Sequence, residues 1–68
     1  MIKAGVIGVG HLGEIHLKLI LQSELFKLIG FYDTNVDRAK FISKKYNVDY
    51  YENYNDMSNN IDCVIICT

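Results

Sequence analysis

Between Ile7 and Leu12 the spacing of apolar residues changes from the unbroken run of a strand to the three-and-four spacing of a helix. The stretch that joins them, "GVIGVGHLGEIH" (residues 5 to 16), holds Gly8, Gly10 and Gly13. Ile2 to Ile7 is short, apolar and ended by glycine, the pattern of a buried strand. Beyond the glycines, Leu12, Ile15, His16, Leu19 and Ile20 fall on one stripe of a helix expected to run to about Gln22. A strand that passes directly into a crossover helix returns to pair with the next strand in parallel. That unit constrains everything downstream.

The alternation continues. Leu25 to Asp33 reads as a second strand that closes on an acid, and "TNVDRAKFISKKY" as a second helix. Thr34 or Asn35 can cap its first N–H groups, Asp37 suits the positive end, and the lysines gather toward the negative end. Val36, Ala39, Ile42 and Tyr46 form its expected buried stripe, with Lys40, Lys44 and Lys45 as a solvated face. "VDYY" is a short third strand, "NDMSNN" has room for little more than one helical turn, and "IDCVIICT" is a fourth strand, apolar on both faces. The order β-α-β-α-β-(short α)-β calls for an α/β fold with a parallel sheet. Right-handed crossovers predict four strands in the order 3-2-1-4, part of a doubly wound sheet. Ligands of such sheets bind at the carboxyl ends of the strands where the order reverses, here between strands 1 and 4.

Sixty-eight residues make at most one small domain. A chain of that length buries only roughly 60% of the surface it exposes when unfolded. The formal net charge is −1, which argues against nucleic acid as the main partner, since phosphate backbones call for a basic face. No signal peptide is visible and no apolar run approaches the ~20 residues that span a bilayer, so no membrane partner and a cytoplasmic location are expected. Cys63 and Cys67 lie in an extended run. At about 3.3 Å per residue their Cα atoms are roughly 13 Å apart, too far for a disulfide, and both read as reduced, buried small hydrophobes.

Each glycine of the string Gly-x-Gly-x-x-Gly then has a physical task. Gly8 permits the tight turn off the strand, Gly10 lets a pyrophosphate approach the main chain, and Gly13 lets the helix lie close to the sheet. The free N–H groups and dipole of the helix favour an anion there, by about 0.3–1 kcal/mol for the dipole. A plain strand-to-helix turn with incidental glycines is the alternative. Asp33 follows Gly13 by 20 residues, at a strand end where an acid accepts the two ribose hydroxyls of an adenosine. The same carboxylate repels a 2′-phosphate by about 4 kcal/mol at ~4 Å and an effective dielectric of 20. NAD is therefore favoured over NADP, unless Asp33 is only a capping residue. Thr34, beside it, joins the candidate cofactor residues. Arg38, one turn on, can lie over the adenine, reach a 2′-phosphate or be solvated. His11 offers a donor or steric lining in the loop, whereas His16, on the expected buried stripe, reads as packed and hydrogen-bonded. The tyrosines of "YYENY" read as strand and turn packing.

Taken together, "IKAGVIGVGHLGEIHLKLI", "LIGFYDTNVDRAKFISKKY", "YENYNDM" and "IDCVIICT" resemble the N-terminal nucleotide-binding (Rossmann) half of the glucose–fructose oxidoreductase/inositol dehydrogenase (Gfo/Idh/MocA) family. The resemblance runs the full length of the chain. It implies an NAD(P)-dependent dehydrogenase that passes a hydride between a nicotinamide and a sugar, polyol or related hydroxy compound, and a parent protein that is a homo-oligomer. By position it assigns Gly8, Gly10, His11, Leu12 and Gly13 to the pyrophosphate and Asp33 to the adenosine ribose. Cys67 and Thr68 would border the nicotinamide ribose. The family's proline after the strand-4 threonine, its catalytic Lys-Pro segment and its substrate domain have no counterpart in residues 1 to 68. No catalytic residue is assigned, and Lys3, Lys18 and Lys27 lie remote from the expected site. The chain is thus expected to be the N-terminal part of a dinucleotide-binding domain, a piece of a longer polypeptide. A non-catalytic sensor or regulatory module that binds the same dinucleotide is the alternative, and a scaffold that has lost nucleotide binding a third.

Overall fold

The computed structural model describes residues 1–67; Thr68, one of the candidate residues, lies outside them. Seven elements alternate along the chain: β1 (Ile2–Ile7), α1 (His11–Gln22), β2 (Phe26–Tyr32), α2 (Val36–Tyr46), β3 (Tyr50–Tyr51), α3 (Tyr54–Ser58) and β4 (Cys63–Ile66). The strands form one sheet in the order β3-β2-β1-β4, and each neighbouring pair is parallel. The predicted partial doubly wound α/β topology is the one observed.

One face of the sheet carries the main core. Ala4 and Val6 of β1, Val9, Leu17 and Ile20 of α1, Phe31 of β2, Ala39 and Ile42 of α2, and Val48 pack there as one buried cluster. On the other face the short α3 supplies Met57, fully buried over β1. A Cβ added to Gly5 would stand 3.0 Å from both the Met57 sulfur and Ile61 Cδ1, so glycine makes the room for that contact.

Two expected stripes are corrected. In α1 the buried residues are Gly13, Leu17 and Ile20, while Leu12, Ile15 and Leu19 are 57%, 43% and 57% exposed and His16 is half-buried. The cause lies at the helix start. Gly13 presses against the Gly8 carbonyl, and that contact rotates α1 so that the residues four and seven further on meet the sheet. In α2, Ala39 and Ile42 are buried and Tyr46 half-buried, but Val36, in the first turn, is exposed. Lys40, Lys44 and Lys45 are exposed as expected, and Lys45 pairs with an acid of α1 from that face, as described below.

β2 carries an irregularity that alternation did not reveal. Ala4 pairs with Leu28 and Gly5 with Gly30, so Ile29 is an extra residue in the ladder. Leu28 and Phe31 therefore both reach the main core although they are three positions apart. Helix ends follow local rules. Asn35, not Thr34, caps α2 by accepting from the Arg38 N–H at 3.1 Å, and Asn47 ends it in the left-handed conformation at φ 56°.

Candidate functional site

At the carboxyl end of β1, backbone hydrogen bonds tie the start of the glycine loop to the ends of the two neighbouring strands. The Gly8 N–H donates to the Tyr32 carbonyl at 2.9 Å, and the Cys67 N–H donates to the Ile7 carbonyl at 2.8 Å. Gly8 has φ 90°, a conformation that side chains with a Cβ avoid. Gly13 has no room for a Cβ, which would stand 1.7 Å from the Gly8 carbonyl oxygen. These two glycines are required by the chain's own packing.

Gly10 differs. Its φ −65° and ψ −163° are open to any residue, and a Cβ there would meet nothing within 4 Å. It occupies the N-cap of α1 without a side-chain hydrogen bond to the helix, so the first-turn N–H groups lack a capping side chain. The space beside it is a cleft of about 210 Å³ lined by Ile7, Gly8, Gly10, Tyr32, Asp33, Thr34 and Cys67. A second cleft of about 340 Å³ shares Tyr32, Asp33 and Thr34 and extends to Val36, Tyr50, Tyr51 and Glu52. Asp33 thus stands at the waist of a groove that runs from the glycine loop toward the end of β3.

The Asp33 carboxylate also holds the groove together. Oδ2 accepts from the Val9 N–H and Oδ1 from the Asn35 N–H, each at 2.8 Å. One carboxylate therefore ties the loop after β1 to the loop after β2, with a lone pair on each oxygen still free to accept.

Five candidates, Gly8, Gly10, Asp33, Thr34 and Cys67, line one cleft. His11 and Leu12 are exposed at the adjoining start of α1, and Gly13 is buried beneath them. Arg38 is engaged elsewhere. Its Nε donates to the Val9 carbonyl at 2.8 Å and its Nη2 to Glu14 Oε1 at 2.7 Å. Lys45 Nζ donates to the other oxygen of Glu14 at 2.7 Å, and the Tyr46 hydroxyl donates to that oxygen too. The Lys45, Tyr46 and Arg38 hydrogen bonds hold the Glu14 carboxyl at a pKa of about 2, well below its usual range. In return the Glu14 carboxylate raises the pKa of Lys45 and of Tyr46. Reading the sequence missed this cluster, because Glu14 lies 24 to 32 residues from its partners. It also treated Tyr50 and Tyr51 as packing alone, whereas both line the larger cleft.

Residues 2–68 match the model of the GFO_IDH_MocA family, described as "Oxidoreductase family, NAD-binding Rossmann fold". The chain belongs to that family. Among solved structures, the family chain is similar to UDP-N-acetylglucosamine 3-dehydrogenase GnnA of Acidithiobacillus ferrooxidans, at 30% identity over 98% of this chain and 21% of that one, with a TM-score of 0.88. It is similar to myo-inositol 2-dehydrogenase of Lactobacillus plantarum at 30% identity, 98% and 21% coverage and a TM-score of 0.82. Biliverdin reductase of Synechocystis, at 17% identity, 98% and 22% coverage and a TM-score of 0.88, shares the fold. The chain spans about one fifth of the length of each of these structures. No curated protein matches the sequence.

Proposed function

We propose that this Gfo/Idh/MocA-family chain forms the dinucleotide-holding part of a dehydrogenase that exchanges a hydride between NAD and a sugar, polyol or related hydroxy compound. The observation that carries the reading is Gly10. Neither its backbone angles nor its neighbours require a glycine, and the space a side chain would take opens on the uncapped start of α1. A diphosphate fits that demand, because it needs bare main-chain N–H groups and the positive end of a helix. Gly8, Gly10, His11, Leu12 and Gly13 would hold it, and Asp33 would accept the adenosine ribose hydroxyls while disfavouring a 2′-phosphate. Thr34 would flank that ribose, and Cys67 and Thr68 would border the nicotinamide end. When bound, the nicotinamide supplies the hydride acceptor or donor; the residues of this chain bind and orient it. The 30%-identical relatives whose names specify a sugar nucleotide and an inositol support the substrate class.

The test is a fluorescence titration with NADH of the wild-type protein and the Gly10→Val variant. Wild type should bind, and the variant should not bind while keeping its circular dichroism spectrum, with a stability loss of about 1 kcal/mol from the poorer helix cap. Equal affinities would reject the phosphate-loop assignment. Binding by the full-length protein without turnover of any hydroxy compound would favour the sensor alternative.

A further inference from the structure

The ion cluster between α1 and α2 touches the glycine loop directly. Asp33 Oδ2 accepts the Val9 N–H at 2.8 Å, and Arg38 Nε donates to the carbonyl of that same residue at 2.8 Å. The guanidinium therefore lies one residue's backbone away from the carboxylate that faces the ribose. An arginine near this acid is the group that accommodates a 2′-phosphate in doubly wound folds. Here Glu14 holds it back. Oε1 of Glu14 accepts from Nη2 at 2.7 Å, and the Glu14 side chain, 14% exposed, is itself anchored by Lys45 and Tyr46 on α2.

We propose that Glu14 is a specificity-determining positioning residue: by drawing the Arg38 guanidinium toward the α1–α2 seam, it leaves the Asp33 carboxylate unopposed at the adenosine 2′ position and so sets a preference for NAD(H) over NADP(H). The inference rests on the dinucleotide reading above and deepens it. Geometry makes the arrangement switchable. Arg38 is at the first turn of α2, its side chain is 30% exposed, and its five donors exceed the two contacts it makes. Freed of Glu14, the guanidinium can turn about its long stem toward the ribose side of Val9. An arginine's fork then offers two parallel bonds to a phosphate.

The experiment titrates NADH and NADPH separately into wild type, Glu14→Gln, Arg38→Met and the double variant, with circular dichroism to verify folding. The readout is the ratio of the two dissociation constants, which a general loosening of the loop does not change. Glu14→Gln should move the ratio about tenfold toward NADPH. The double variant should return it to the wild-type value, and Arg38→Met alone should leave it unchanged, since Arg38 is already withdrawn. An unmoved ratio in folded Glu14→Gln overturns the inference, as does a shifted ratio that persists in the double variant. Should Glu14→Gln fail to fold, Arg38→Met still decides: a selective loss of NADPH affinity means Arg38 reaches the 2′-phosphate with Glu14 in place, and an unchanged ratio supports its withdrawal. Wild type that binds neither dinucleotide overturns the dinucleotide reading itself, a result distinct from binding with an unaltered ratio.

Discussion

A methyl group added at Gly13 and one added at Gly10 meet opposite surroundings, though only two residues separate them. At Gly13 it would strike the Gly8 carbonyl oxygen at 1.7 Å, and main chain cannot swing aside as a side-chain tip can. Gly13→Ala should therefore lower stability by about 1–3 kcal/mol or more in urea denaturation, whether or not a ligand is present. At Gly10 the same group enters open space, so the defect of a larger residue should appear in ligand binding. Asp33 combines both kinds of role. Its two bonds to the Val9 and Asn35 N–H groups make it a strut, and its place at the waist of the groove makes it a filter. Asp33→Ser should cost about 1–3 kcal/mol in the same denaturation assay and shift the NADPH-to-NADH affinity ratio toward NADPH. A stability loss with no change of ratio would assign the carboxylate to bracing alone.

At the scale of elements, α1 and α2 are joined through Glu14, and that joint is sensitive to pH at both ends. The carboxyl of Glu14, at about 2 in the folded chain against an ordinary 4.5, adds stability that is complete above about pH 4.5 and is lost as pH falls toward 2. Lys45 and Tyr46 are raised above 10.5 and 10.0, so their contributions are complete below those values and are lost as pH rises through the higher folded ones. Melting temperature measured from pH 2 to 11 should fall on both arms, and Glu14→Gln should flatten both. Identical profiles would mean that the cluster adds nothing to the folded state. The cap of α2 is a simpler case. Asn35→Ala removes the acceptor for the Arg38 N–H and should cost about 1 kcal/mol.

The whole molecule leaves one side open. Leu12, Ile15 and Leu19 lie on the side of α1 away from Glu14 and α2, more than two fifths exposed, and Ile66 on the edge strand β4 is 64% exposed. An uncovered strand edge beside apolar side chains invites pairing with another chain. The 68-residue chain should self-associate with rising concentration in sedimentation velocity. Ile15→Lys with Leu19→Lys should reduce that association while changing stability by no more than about 0.5 kcal/mol per site. No helix among the described residues is long and apolar enough to cross a membrane.

The order of elements, the parallel sheet, the glycine turn and the placement of Asp33 at the end of β2 were legible in the residues, because each is written in a short window. A change of apolar period, a glycine after a strand and an acid before a cap act within a few positions. The rotation of α1 was not legible. Leu12, Ile15 and Leu19 have the same spacing as a core stripe, and only the contact of Gly13 with the Gly8 carbonyl turned another face, through Leu17 and Ile20, to the sheet. The extra residue Ile29 in β2, the clamp from Glu14 to α2 and the cleft bounded by Tyr50 and Tyr51 share that origin. Each depends on groups distant in the chain arriving at one place. Local spacing specifies which elements form, whereas the close approach of their surfaces decides which side chains meet.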